Sequence, residues 1–228
     1  SNPASEWDIE GAGDLSIQGF ATDISVNTGQ TIDFKIDVKA PQTNFTIKIY
    51  RLGYYNNDGA RLIADLGSFT GTIQPSPLYE VATGKTDCSN WSVSASWNTT
   101  GAVSGLFLAK LTRADNSGSS HIAFIVRNDG VPSDMLFKTS DTTWQAYNGY
   151  GGNSLYVNNS GISVPGSNRA TKVSYNRPFY TRGGGGGSSS SEDWLFDSEY
   201  PMIRWLERNG YHVSYTTDVD MDRSTTAI

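Results

Sequence analysis

The chain has 228 residues, a formal net charge of −6 and a sequence pI of about 4.8. An acidic balance with no Lys or Arg run excludes nucleic acid as the main partner, because affinity for phosphates comes from clustered cations. No apolar run approaches the ~20 residues of a helical membrane span, and the single cysteine, Cys88, excludes an internal disulfide.

The first residues, SNPASEWDIEG, are polar and lack the apolar centre of a signal peptide. The composition, rich in Ser, Thr, Asn, Gly and aromatics and only 18% charged, is that of many processed proteins found outside the cell or on its surface. Sequons at Asn44, Asn90, Asn98 and Asn158 are glycosylation candidates on that reading.

Residues 1–130 read as an antiparallel β-sandwich of immunoglobulin-like size. TIDFKIDV (31–38) alternates with Ile32, Phe34, Ile36 and Val38 on one face, and FTIKIY (45–50) repeats the pattern with Phe45, Ile47 and Ile49. Strict alternation predicts one buried and one wet face. Further strands are predicted near 61–66, 91–95, 105–112 and 121–126. The turn signals NTG (27–29), NNDG (56–59) and DNSG (115–118) separate them. Cys88 reads as a small buried hydrophobe. His121 and His212 fall in predicted strands with no partner at metal-ligand spacing, so both read as structural.

From residue 131 the pattern changes. MLFKTS (135–140) is a short apolar strand of the kind that enters a parallel sheet. The next stretch, TWQAYNGYGGNSLY (143–156), is read as a loop too glycine-rich for a helix or regular strand. In open α/β sheets, ligands bind beyond the carboxyl ends of the strands, which is where this stretch lies. Trp144, Gln145, Asn148 and Tyr150 are therefore candidate substrate contacts, and the phenols of Tyr147 and Tyr156 are candidate donors to a hard metal ion. The competing reading is a loop folded over the sandwich, its rings forming an interdomain core.

Further along, GGGGGSSSS (183–191) reads as a flexible surface loop. DSEYPMIRWLERNG (197–210) predicts a helix with Asp197 or Ser198 at its cap, Pro201 in the first turn and Gly210 past its end, and with Tyr200, Ile203 and Leu206 on one face. YHVSYTT (211–217) predicts a second strand, and DVDMD (218–222) a polar loop, since Arg223 stands where a calcium loop needs glycine. Strand, crossover, helix, strand opens a doubly wound α/β domain over 131–228, and two such strands do not complete one. The expectation is a mixed fold whose α/β half is finished by further chain, by self-association or by a second chain.

Several phrases carry a resemblance: IYRLGYYNNDGARLIADL, CSNWSVSASW, SDTTWQAYNGYGGNSLY, VSYNRPF and EYPMIRWLERNGYHVSYTTDVDMDR. Together they resemble the large-subunit family of N,N-dimethylformamidase from about Gly19 to Asp222. That resemblance implies an amidotransferase-like α/β domain and a mononuclear ferric centre, held by two tyrosines and a glutamate, that hydrolyses a small amide. Tyr147 in WQAYN matches the first tyrosine and Tyr156 in NSLY is matched to the second. The glutamate belongs to a GHxEY-like segment expected beyond Ile228. The rival reading is a non-enzymatic extracellular module that binds a glycan or a protein partner.

Overall fold

The computed structural model describes residues 1–9, 11, 13–180 and 195–223. The Gly/Ser tract at 183–191 lies outside the described residues.

The chain is mostly β. After a one-turn helix α1 (Ala4–Trp7), strands β1 (Ile17–Ala21), β2 (Ser25–Asn27), β3 (Thr31–Val38), β4 (Asn44–Tyr55) and β5 (Asp58–Thr70) follow in quick succession. A small hairpin, β6 (Leu78–Glu80) and β7 (Lys85–Asp87), precedes β8 (Ala95–Asn98), β9 (Gly105–Arg113) and β10 (Ser119–Arg127). One sheet has the order β1-β3-β8 and the other β2-β10-β9-β4-β5. Pairing in both is antiparallel except at the edge, where β2 runs parallel to β10.

The two sheets close on a core of Ile17, Ile32, Phe34, Ile36 and Val38 from the smaller sheet and Phe45, Ile47, Ile49, Phe107, Leu111, Ile122 and Phe124 from the larger. These are the positions that period-2 alternation selects. The three predicted turns occur where the sequence signals them, with positive φ at Gly29, at Asn56 and Asn57, and at Ser117.

Two predictions in this half are corrected. The strand expected at 91–95 starts only at Ala95. Trp91 instead belongs to a turn, where its N–H bonds Cys88 O and its indole donates to Pro75 O at 2.9 Å while the ring packs on Phe20. The wet face expected of the second strand is also only half there. Beyond Ile49, Tyr50, Arg51 and Leu52 of β4 are all buried, because other elements cover the outer face of the larger sheet.

Those elements are α1 and the described residues that follow β10. Strand β11 (Met135–Lys138) pairs in parallel with β12 (Val213–Thr216), as the sequence predicts. Between them lie helix α2 (Asp141–Tyr147), a 3-10 turn (Tyr150–Gly152), irregular chain over 153–180 and helix α3 (Glu199–Arg208). Ile203 and Leu206 of α3 are buried, Tyr200 is partly so, and Gly210 past its end has φ 77°. A second core forms from Tyr50, Leu52, Leu106, Leu108, Ala123 and Ile125 of the sandwich with Trp7, Trp144, Ile203 and Tyr215.

The acidic run at 218–222 is a helix, α4 (Asp218–Arg223), and not a loop. Its start is a reciprocal cap: Asp220 N–H donates to Thr217 Oγ1 at 3.0 Å, and the Asp220 carboxylate accepts from Thr217 N–H at 3.2 Å. Thr-x-x-Asp is the sequence signal of that cap.

Candidate functional site

Helix α2 takes up the first half of the aromatic stretch, which corrects the loop expected there. The glycines begin only at Gly149, so DTTWQAY meets no breaker, and the helix stops at Asn148 with extended backbone. The Ser140 hydroxyl makes no cap bond. The carboxylate of Glu199, from α3, does the work at that end by accepting Ser140 N–H at 2.8 Å. Asp141 is fully buried and accepts from Asp218 N–H, Thr139 Oγ1 and Tyr175 Oη. Burial holds its carboxyl above the usual carboxylate range, against the pull of those three donors.

Trp144 is wholly buried in the second core, with its indole N–H on Glu199 Oε2 at 3.0 Å and its ring edge-on to Phe179. Gln145 is buried too, and its side-chain oxygen accepts from Asn148 Nδ2 at 3.3 Å. Asn148 is fully buried and joins two strips of chain. Its Nδ2 donates to Pro178 O at 2.9 Å, and its Oδ1 accepts from Tyr150 N–H and Tyr180 N–H.

Tyr150 packs against the cluster of Phe20, Cys88 and Trp91. Burial raises its phenol pKa, and burial likewise pushes the Cys88 thiol up to about 12, so neither ionises near neutrality. His121 is buried with Nε2 2.6 Å from Trp7 O, while His212 is exposed just before β12.

After Tyr150 the chain reverses through Gly151 (φ 82°) and Gly152 (φ 94°). Both must be glycine: a Cβ on Gly151 would lie 2.4 Å from Thr86 Oγ1, and one on Gly152 would lie 2.7 Å from Ser160 Cα. Leu155 N–H returns to Ala146 O at 3.0 Å, closing the loop onto α2.

The result is that the rings of Tyr147 and Tyr156 stack, with centroids 4.2 Å apart and planes 14° apart. Tyr156 is 53% exposed and Tyr147 is half-buried beneath it. Of the six predicted site residues, the rings of Tyr147 and Tyr156 come together at the surface, while Trp144, Gln145 and Asn148 are buried and Tyr150 is half-buried against Phe20, Cys88 and Trp91.

The donor set fits a hard trivalent ion in kind, since phenol oxygens are the donors such an ion takes, and it supplies two ligands. Among the described residues, no three His, Cys, Asp or Glu gather into a metal-holding group. A groove of about 860 Å³ lies elsewhere, between β2, residues 127–136, β12 and α4, and contains none of the predicted site residues.

Arg177 was not anticipated from the sequence. It is 1% exposed and donates to the carbonyls of Ser174, Tyr150, Asn153 and Gln145. Burial pushes its guanidinium down to about 10, still charged at neutral pH. The only signal for it was its place in VSYNRPF. Among the sequon asparagines, Asn44, Asn90 and Asn98 are exposed and Asn158 is half-buried.

Residues 46–228 match the family model described as N,N-dimethylformamidase beta subunit-like, C-terminal. No curated protein matches. Among solved structures, an AA10 lytic polysaccharide monooxygenase from Streptomyces lividans is similar at 19% identity, over 45% of this chain and 56% of that one, with a TM-score of 0.27. The chain thus spans little more than half of that protein's length, and the likeness carries no argument about activity.

Proposed function

The chain belongs to the N,N-dimethylformamidase beta subunit-like family, and from that premise we propose that the whole protein is an extracellular, metal-dependent hydrolase of a small amide or related C–N bond. Tyr147 and Tyr156 serve as phenolate donors to an iron ion. The observation that carries this reading is the stacking of those two rings at 4.2 Å, with one phenol open to solvent. A ferric ion bound there would polarise an amide carbonyl and lower the pKa of bound water.

Trp144, Gln145, Asn148 and Tyr150 act in this reading as the bed that orients the phenols and shapes the floor of the site. Asn148 is central, since its amide fixes the turn between α2 and Tyr150 from both sides. No residue of this chain is assigned the carboxylate ligand that the family resemblance implies. The parallel pairing of β11 with β12 across α3 supports reading residues from 131 onward as part of an amidotransferase-like α/β domain. The composition, rich in Ser, Thr, Asn, Gly and aromatics and low in charge, supports an extracellular setting.

Metal analysis and a visible spectrum of protein loaded with ferric ion test the reading. Stoichiometric iron with a broad tyrosinate charge-transfer band, lost in Tyr147→Phe, is the expected result. A colourless protein that retains no iron overturns it.

A further inference from the structure

Residues 174–180 (SYNRPFY) have no part in the chemistry proposed above, yet they tie together the two chain segments that carry the phenols. Gln145 lies in the last turn of α2, two residues before Tyr147. Tyr150 and Asn153 lie in the reversal that leads to Tyr156. The guanidinium of Arg177 holds all three carbonyls at once: Nη2 to Gln145 O at 3.1 Å, and Nη1 to Tyr150 O at 3.0 Å and Asn153 O at 3.1 Å. Nε is anchored on Ser174 O at 3.1 Å. No carboxylate forms an ion pair with Arg177 among the described residues.

A buried cation without an anion is costly, and it survives where nearly every N–H finds an acceptor. A guanidinium is also planar, with its five N–H groups in fixed directions. Carbonyls bound to it are therefore fixed relative to one another, which the single swivelling ammonium of lysine does not achieve. Asn148 adds a second tie from the same strip, through Pro178 O and Tyr180 N–H.

We propose that Arg177 is a positioning residue that sets the face-to-face arrangement of Tyr147 and Tyr156 by clamping the end of α2 to the Gly151–Gly152 reversal. For its effect on metal binding the proposal rests on the hydrolase reading; for the geometry of the phenols it stands alone.

The test uses the full chain as wild type, Arg177→Lys and Arg177→Met, with folding checked by far-ultraviolet circular dichroism. In metal-free protein, tyrosine nitration by tetranitromethane is followed peptide by peptide in a mass spectrometer. Wild type is expected to nitrate Tyr156 ahead of the covered Tyr147, and both variants to nitrate the two at similar rates. In protein loaded with ferric ion, both variants are expected to hold iron about 10- to 100-fold more weakly, the scale on which groups that orient metal ligands act.

A folded Arg177→Lys with the wild-type nitration order overturns the proposal, because charge without the fork would then suffice. If Arg177→Met fails to fold, the lysine variant decides alone. If wild type holds no iron while the nitration order still depends on Arg177, the clamp stands and the metal reading falls.

Discussion

The two faces of the five-stranded sheet are built by different means. Most of the inner face meets the smaller sheet through aliphatic and aromatic side chains, with Phe124 touching Phe34, Trp97 and Phe107 at ring distances of 5.6–6.0 Å. Only at its end do Ser120 and Arg113 donate to the carbonyls of Ile17, Ser16 and Lys39. The outer face is also apolar, but the layer over it is fastened by buried polar and charged groups. Arg51 of β4 holds Glu207 of α3 at 2.7 Å, and Glu207 also accepts from Tyr54 N–H and Tyr215 Oη. Asp141, Glu199 and Arg177 do the same for α2 and the loop that follows. Non-directional burial suffices to close two alternating sheets, whereas a layer of short helices and irregular chain needs directional bonds to take one arrangement.

The sharpest blow to the inner face is Phe124→Ala, which leaves a ring-sized void among three aromatic neighbours and is expected to cost about 3–5 kcal/mol in urea unfolding. A loss under about 1 kcal/mol would show that the sheets relax around the void. Next is Glu207→Gln, which keeps the shape but strands the buried Arg51 charge; about 3 kcal/mol is expected, from the same measurement. A near-neutral result would mean that Arg51 escapes to solvent and the outer layer does not depend on the pair.

The smallest effect is one of pH. The folded Asp141 carboxyl, held above its ordinary value chiefly by burial, keeps its proton to higher pH than the unfolded chain does. Its contribution is therefore full below the ordinary carboxylate pKa of about 4 and is lost as pH rises through the raised value. Asp218 lies on the opposite side of the balance: burial raises its pKa, but hydrogen bonds from Lys138 and Thr142 outweigh that and lower it. The urea midpoint of wild type, compared with that of Asp141→Asn, should fall more steeply across pH 4 to 7. Parallel curves would remove Asp141 as the source.

The same contrast explains what could be read in advance. Period-2 alternation named the inner core of β3 and β4, and three turn signals placed their bends, because each is local in sequence. Of the parallel partners, β11 was legible as a short apolar run and β12 as the strand that follows the helix, and α3 by its proline, its glycine and its apolar face. The outer clamps were not, since Arg51 and Glu207 are 156 residues apart and nothing local marks either. At the candidate site, the ring chemistry of Tyr147 and Tyr156 was visible, but their stacking depends on a positive-φ reversal and on a buried arginine some thirty residues away in the chain. The capping pattern at Thr217 was local, and the composition of the acidic run masked it.

The double-sided burial of β9 and β10 has a consequence during synthesis. The inner face can close as soon as β10 has left the ribosome, since both sheets are then complete. The outer face, with Leu106, Leu108, Ala123 and Ile125, has Trp7 of α1 against it from the start, but Trp144, Ile203 and Tyr215 reach it only as α2, α3 and β12 follow. At about 5–20 residues per second, some ninety more residues take on the order of 5–20 s. For that interval the nascent sandwich keeps much of an apolar sheet face open to solvent, the kind of surface that invites association before the chain is finished.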